Sequence, residues 1–242
     1  MTKRAVVYAR YSTEHERAAS IADQVEVLKF QLPYARPTAE VEDWESDDEG
    51  HIDLAEVVGR ATPHALIGVT GQPGLFTEDV VRTMADTTLR PIIMPLSNPT
   101  IRAEALPSDL IEWTGGRALI GTGSPFDPVE YAGVRHHIAQ VNNVYVFPGL
   151  GLGVIASGAT RVTSDMITAA SLAVAEFASS APDATGLVPP LEESDAVARS
   201  VALAAARQAV LEGVAPNASD VELLAAIERC HWSPEYGSRA DM

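Results

Sequence analysis

Between residues 65 and 147 the hydrophobic pattern repeats at a steady interval. Four apolar, strand-length runs, residues 65–69, 91–96, 118–122 and 144–147, begin 26 or 27 residues apart. Short, continuously apolar runs are expected of strands buried on both faces of a parallel sheet. Helix signals separate the first three. Thr77-Glu78-Asp79 caps a helix running to about Ala85, and Pro107-Ser108-Asp109 opens one that Gly115-Gly116 stops. Strand alternating with helix at this spacing implies crossover connections and a parallel sheet. Residues 131–136 cross a turn at Gly133 and read as a loop or hairpin.

On either side of this block the pattern changes. Residues 4–10 read as a strand, residues 20–28 as a helix with Ser20 as its cap, and residues 53–60 as a short helix. After the block the helical period takes over. Residues 162–178 form one helix and residues 195–212 a second, rich in alanine and closed by Gly213. Ser219 and Glu222 have the spacing of a capping box for a third helix, reaching about Arg229. Trp232 and Tyr236 are expected to pack the tail back on the body. The fold class is α/β: a partial parallel sheet with flanking helices and a helical carboxy-terminal region.

The four apolar runs each end in a small-residue or polar corner. These are Thr70-Gly71-Gln72-Pro73-Gly74, Ser97-Asn98-Pro99-Thr100, Gly121-Thr122-Gly123-Ser124-Pro125 and Pro148-Gly149-Leu150-Gly151. Parallel strands would set these corners along one rim, where open α/β sheets bind ligands. Glycines let backbone N–H groups approach a ligand closely, and the rim has a dinucleotide or small-acid character. Asn98 is its central candidate, because an amide offers donors and an acceptor without charge.

Composition narrows the function classes. A net charge of −16 opposes general binding to nucleic acid or to an anionic membrane. No apolar run approaches the ~20 residues of a membrane span. Cys230 is the single cysteine, which excludes an internal disulfide and suits a reducing cytoplasm. Seven carboxylates between residues 40 and 49 lack the spacing of a metal site and read as a solvated loop. His136 and His137 are adjacent, so their side chains diverge, and no metal is assigned to them. The charge is also unevenly spread. Lys3 and Lys29 are the only lysines, and from Phe30 onward there are 12 arginines, 29 acids and no lysine. This break divides the chain into an amino-terminal segment, residues 1–29, and a body, residues 30–242.

The amino-terminal segment resembles the start of serine recombinases of the resolvase and invertase type, through Tyr8-Ala9-Arg10-Tyr11-Ser12 and Ser20-Ile21-Ala22-Asp23-Gln24. The resemblance would make Ser12 a nucleophile toward a DNA phosphate, with Arg10 stabilising its charge. The family's later arginine motif and DNA-binding domain are not found, which leaves a strand-helix unit without the groups that activate a serine.

The body resembles the malic enzymes. The strings that carry this are Gly68-Val69-Thr70-Gly71-Gln72-Pro73-Gly74-Leu75-Phe76-Thr77, Arg90-Pro91-Ile92-Ile93, Ser97-Asn98-Pro99-Thr100, Thr122-Gly123-Ser124-Pro125-Phe126, and Asn142-Asn143 followed by Val144-Tyr145-Val146-Phe147-Pro148-Gly149-Leu150-Gly151-Leu152-Gly153. The resemblance implies the later half of a Rossmann-like NAD(P)-binding domain with the helices that follow it. It implies a dinucleotide, NAD or NADP, and a malate- or pyruvate-type small acid as ligands. It places Asn98 on the substrate near the nicotinamide end of the cofactor, one of Asn142 and Asn143 on the substrate, and Thr70 and Gly71 at the cofactor. The family's general base is a lysine, and none follows Lys29. The tyrosine acid, the substrate arginine and the carboxylates that bind the family's divalent metal belong to regions preceding the match. Gly151-Leu152-Gly153-Val154-Ile155-Ala156 fits a G-x-G-x-x-A pattern, but no second strand ends in an acid ~20 residues on, so helix packing explains it better.

Oxidative decarboxylation needs hydride transfer, proton transfer and an electron sink. The chain is therefore expected to supply one wall of such a site and to be inactive alone. The alternative is a nucleotide- or partner-binding module without catalysis, in which a sheet edge left open by truncation promotes association into a homo-oligomer. DNA strand transfer through Ser12 is a third reading, opposed by the acidic body.

Overall fold

A computed structural model describes residues 5–8, 38–46, 52–180 and 187–232. It divides into two compact units, Met1–Gln140 and Val141–Met242. The expected helix at residues 20–28, Ser12, and Tyr236 lie outside the described residues.

The first unit is built on a five-stranded sheet in the order β1-β2-β3-β4-β7, parallel throughout. The strands are β1 (Ala5–Tyr8), β2 (Ala65–Gly68), β3 (Ile92–Pro95), β4 (Leu119–Thr122) and β7 (Ala139–Gln140). Three of the four expected strands are thus present, and β1 lies in register with β2 from Ala5 opposite Ala65 to Tyr8 opposite Gly68. β5 (Val129–Tyr131) and β6 (Val134–His136) form the antiparallel hairpin. Ala132 and Gly133, with φ of 50° and 78°, make its two-residue turn.

Helices α1 (Leu54–Ala61), α2 (Glu78–Thr87) and α3 (Pro107–Trp113) lie close to where the sequence signals place them. The Thr77 side chain accepts the Val80 N–H at the start of α2, and Pro107 opens α3. Leu54, Val58, Phe76, Val81, Met84, Leu110 and Ile111 pack with the strand residues Leu66, Ile93 and Ile120 in one core. Full burial of such a side chain contributes about 1.5–3 kcal/mol. Burying these residues holds helices and strands together and fixes the ends of β2, β3 and β4.

The second unit is helical. Residues 144–147, expected as a fourth strand, are instead a 3-10 turn (Asn143–Tyr145) leading into α4 (Phe147–Ser157). The reason is local. Asn142 caps the turn by accepting the Val144 N–H at 3.0 Å, and Pro148 falls in the first turn of α4, where its missing N–H costs nothing. β7 takes the place beside β4. Pro148-Gly149-Leu150-Gly151 is therefore helix and not a rim corner, and the rim has three such corners instead of four.

Three further helices follow: α5 (Ser164–Ser180), α6 (Ser194–Leu211) and α7 (Asp220–Cys230). The capping box of Ser219 and Glu222 is formed at the start of α7. Tyr145, Ala170, Ala173, Val197 and Val201 form the central cluster. Tyr145 also donates its hydroxyl to the Pro189 carbonyl at 2.7 Å. Trp232 is 78% exposed and does not pack the tail down as expected. No described helix is long and apolar enough to cross a membrane.

Candidate functional site

The carboxyl ends of β2, β3 and β4 continue into Thr70-Gly71, Ser97-Asn98 and Gly123-Ser124, side by side because the strands are parallel. The ladder carries on into the corners, with the Leu96 N–H on the Gly68 carbonyl at 2.8 Å. After Asn98 the chain turns through a cis peptide bond to Pro99 and a 3-10 turn (Thr100–Arg102). That turn brings Glu104 back beneath the corners.

Glu104 is fully buried and joins two of the corners. Its Oε1 accepts the Thr70 N–H at 2.7 Å, the Thr70 hydroxyl at 2.8 Å and the Ser97 hydroxyl at 2.6 Å. Its Oε2 accepts the Ser97 N–H at 3.4 Å, and its carbonyl accepts the Phe76 N–H at 3.1 Å. Room for the carboxylate depends on Gly68, where a Cβ would come within 2.6 Å of Glu104 Cδ. Burial pushes the carboxyl pKa up. The Ser97 hydroxyl and the Thr70 N–H and hydroxyl pull it down further, and the net position is below the ordinary carboxylate range. None of the ion pairs among the described residues involves Glu104.

The same network occupies the backbone of the first corner. The Gly71 N–H donates to Ser97 Oγ at 2.8 Å, and the Gln72 N–H to Thr70 Oγ1 at 3.1 Å. The N–H groups of Thr70, Gly71 and Gln72 thus have internal partners, and this corner is not a ready nest for a phosphate. Thr70 and Gly71 remain half-buried walls of the rim. Arg102 donates to the Gly71 carbonyl at 3.4 Å.

Asn98 lies exposed at the centre. Its Nδ2 donates to the Leu96 carbonyl at 3.3 Å, and its Oδ1 accepts the Ser124 hydroxyl. The third corner reaches it because position 123 is glycine: a Cβ there would lie 2.2 Å from the Leu96 carbonyl oxygen. The amide is held from two corners and keeps one N–H and lone-pair capacity for a ligand.

Thr70, Gly71 and Asn98 are therefore brought together in the first unit. Asn142 and Asn143 belong to the second. Asn142 uses its side-chain oxygen as a cap, while Asn143 is exposed and makes no side-chain hydrogen bond among the described residues. Gly151 and Gly153 of the G-x-G-x-x-A string lie within α4. Among the described residues no three histidine, cysteine or carboxylate groups gather to hold a metal ion. Glu130 pairs with Arg135 across the hairpin at 3.9 Å, and His136 meets the Tyr131 ring edge-on. Glu104 is the residue that sequence reasoning missed. Its single signal was an acid set between alanines, Ala103 and Ala105, both of which are buried.

Comparisons with known proteins point one way. The family profile described as malic enzyme, NAD binding domain, matches residues 19–210. An NAD-dependent malic enzyme of Acinetobacter baylyi is 51% identical over 216 residues, covering 88% of this chain and 38% of that protein. One of Aeromonas salmonicida is 50% identical over 223 residues, covering 91% of this chain and 39% of that protein. The chain thus spans less than two fifths of the length of these relatives. The crystal structure of Entamoeba histolytica malic enzyme shares the fold with a TM-score of 0.61 at 24% identity, over 76% of this chain and 35% of that one. The malic enzyme of Pyrococcus horikoshii gives a TM-score of 0.55 at 25% identity, over 73% of this chain and 36% of that one.

Proposed function

The chain belongs to the malic enzyme NAD-binding domain family, and from that premise we propose that it binds the nicotinamide end of NAD together with a malate-type small acid, without completing oxidative decarboxylation on its own. The observation that carries this reading is the Asn98 amide, pinned between the second and third corners with hydrogen-bonding capacity left over. Such an amide can donate to a substrate carboxylate or pair with a carboxamide.

When bound, the cofactor would supply the hydride acceptor. The residues of this chain bind and orient. Asn98 fixes the acid against the ring, and Thr70 and Gly71 form the wall beside it. No group of the chain is assigned to take the proton from the substrate hydroxyl, because no lysine follows Lys29. Residues 30–242 form the part that carries this binding function, and the 1–29 segment adds β1 to the sheet edge.

The test pairs binding with turnover. Calorimetric titration of the 242-residue chain with NAD should show saturable binding, and Asn98→Ala should weaken it about tenfold, the loss of one or two hydrogen bonds. With malate, Mn²⁺ and NAD, absorbance of the reduced cofactor should not rise. Sustained turnover would overturn the claim of incompleteness, and absence of NAD binding would overturn the whole reading.

A further inference from the structure

We propose that the buried charge of Glu104 makes this rim discriminate between the two redox forms of the cofactor, favouring the cationic nicotinamide ring of NAD+ over the neutral ring of NADH. The inference deepens the binding function proposed above and rests on it.

Four observations lead here. First, the carboxylate is completely buried yet lies one hydrogen bond from the corner residues, and its partner Ser97 immediately precedes Asn98 in the chain. Second, its partners are dipoles and not cations: two hydroxyls and two N–H groups. Hydrogen bonds keep a carboxylate ionised without cancelling its charge. The nearest basic group in the sequence, Arg102, is exposed and attached to the Gly71 carbonyl. Third, each hydroxyl has a single proton, and both protons point inward to Glu104. Toward Gly71 and Gln72 the same oxygens act as acceptors. The hydroxyls therefore have only lone pairs left to present. Fourth, the N–H groups that could have drawn a phosphate already have partners. Apart from the Arg102 guanidinium on the Gly71 carbonyl, Thr70 and Ser97 thus present lone pairs over a buried negative charge, which favours a ring cation, while the acid is left to the N–H of the Asn98 amide.

NAD+ and NADH carry the same phosphates, sugars and adenine. They differ in the ring, which is a pyridinium cation in one and a neutral dihydropyridine in the other. A fixed negative charge beneath the rim acts on that difference alone. A purely structural role for Glu104 would change both affinities together and leave their ratio untouched.

The experiment measures the dissociation constants of NAD+ and NADH for the full chain and for Glu104→Gln, which keeps the side-chain size. The wild type should bind NAD+ about tenfold tighter, the order of effect one buried charge has on a ring cation at an effective dielectric of about 20. In Glu104→Gln the two constants should approach each other, chiefly through weaker NAD+ binding. Equal affinities in the wild type, or a preference that survives the substitution intact, would overturn the inference while leaving the dinucleotide site standing. Failure to bind either form would overturn the site itself. If Glu104→Gln does not fold by circular dichroism, the wild type decides alone. Saturation-transfer NMR should then show the 1-methylnicotinamide cation binding more tightly than neutral nicotinamide, and equal binding of the two would overturn the proposal.

Discussion

The two units of this protein use opposite materials to hold their shape. At the rim of the sheet, one ionised carboxylate ties together residues 34 and 7 positions away in sequence, Thr70 and Ser97. In the helical unit, α4 closes on α6 because side chains are missing. A Cβ on Gly149 would meet the Ala198 carbonyl oxygen at 2.5 Å, and one on Gly153 the Ala202 carbonyl oxygen at the same distance. The alanines of α6 along that face, Ala198, Ala202, Ala205, Ala206 and Ala209, are buried. Polar ties fix direction and charge, as a site needs. Contact between small residues fixes only distance, which is enough for a scaffold.

The sharpest way to break this contrast is Glu104→Ala. It leaves the Thr70 and Ser97 donors unsatisfied around a new cavity and should cost about 4 kcal/mol by urea unfolding. Amide exchange should accelerate at Thr70, Gly71 and Ser97, while α6 keeps its protection. Acid gives the same contrast without a cavity. The Glu104 carboxyl is held below its ordinary pKa in the fold. Its contribution is therefore complete above the ordinary carboxylate range and is lost as pH falls through the depressed value. Stability measured against pH should fall more steeply in the wild type than in Glu104→Gln across that acid window.

Gly153→Val tests the other material. Its methyl groups must push α4 away from the Ala202 backbone, at a cost of about 2–3 kcal/mol. The exchange pattern should be reversed, with protection lost in α4 and α6 and kept at Thr70 and Gly71. The smallest expected effect is Ser219→Ala, which removes the capping box of α7 and should cost about 1 kcal/mol. A loss as large as that of Glu104→Ala would mean that the helical unit also depends on single polar groups.

The repeating elements were legible because their signals are local. Thr77 with Val80, Pro107, and Ser219 with Glu222 mark helix starts within one turn of chain. Residues 144–147 were misread because Val-Tyr-Val-Phe carries strand propensity, while the deciding events are the Asn142 cap before it and Pro148 after it. β7, only two residues long, has too little pattern to announce itself and exists because β4 offers an open edge.

By itself the chain of residues determined three of the buried strands, where most helices start and stop, and that Asn98 and its neighbours end a strand. These follow from periodicity and capping, which act over a few residues. That three corners meet, that Asn98 is gripped by Ser124, and that a lone acid between two alanines carries the charge beneath them was decided only in three dimensions. Hydrogen bonds between residues 26 or 34 positions apart form once the sheet has aligned its strands. Burial of a carboxylate is tolerated only after those bonds are in place.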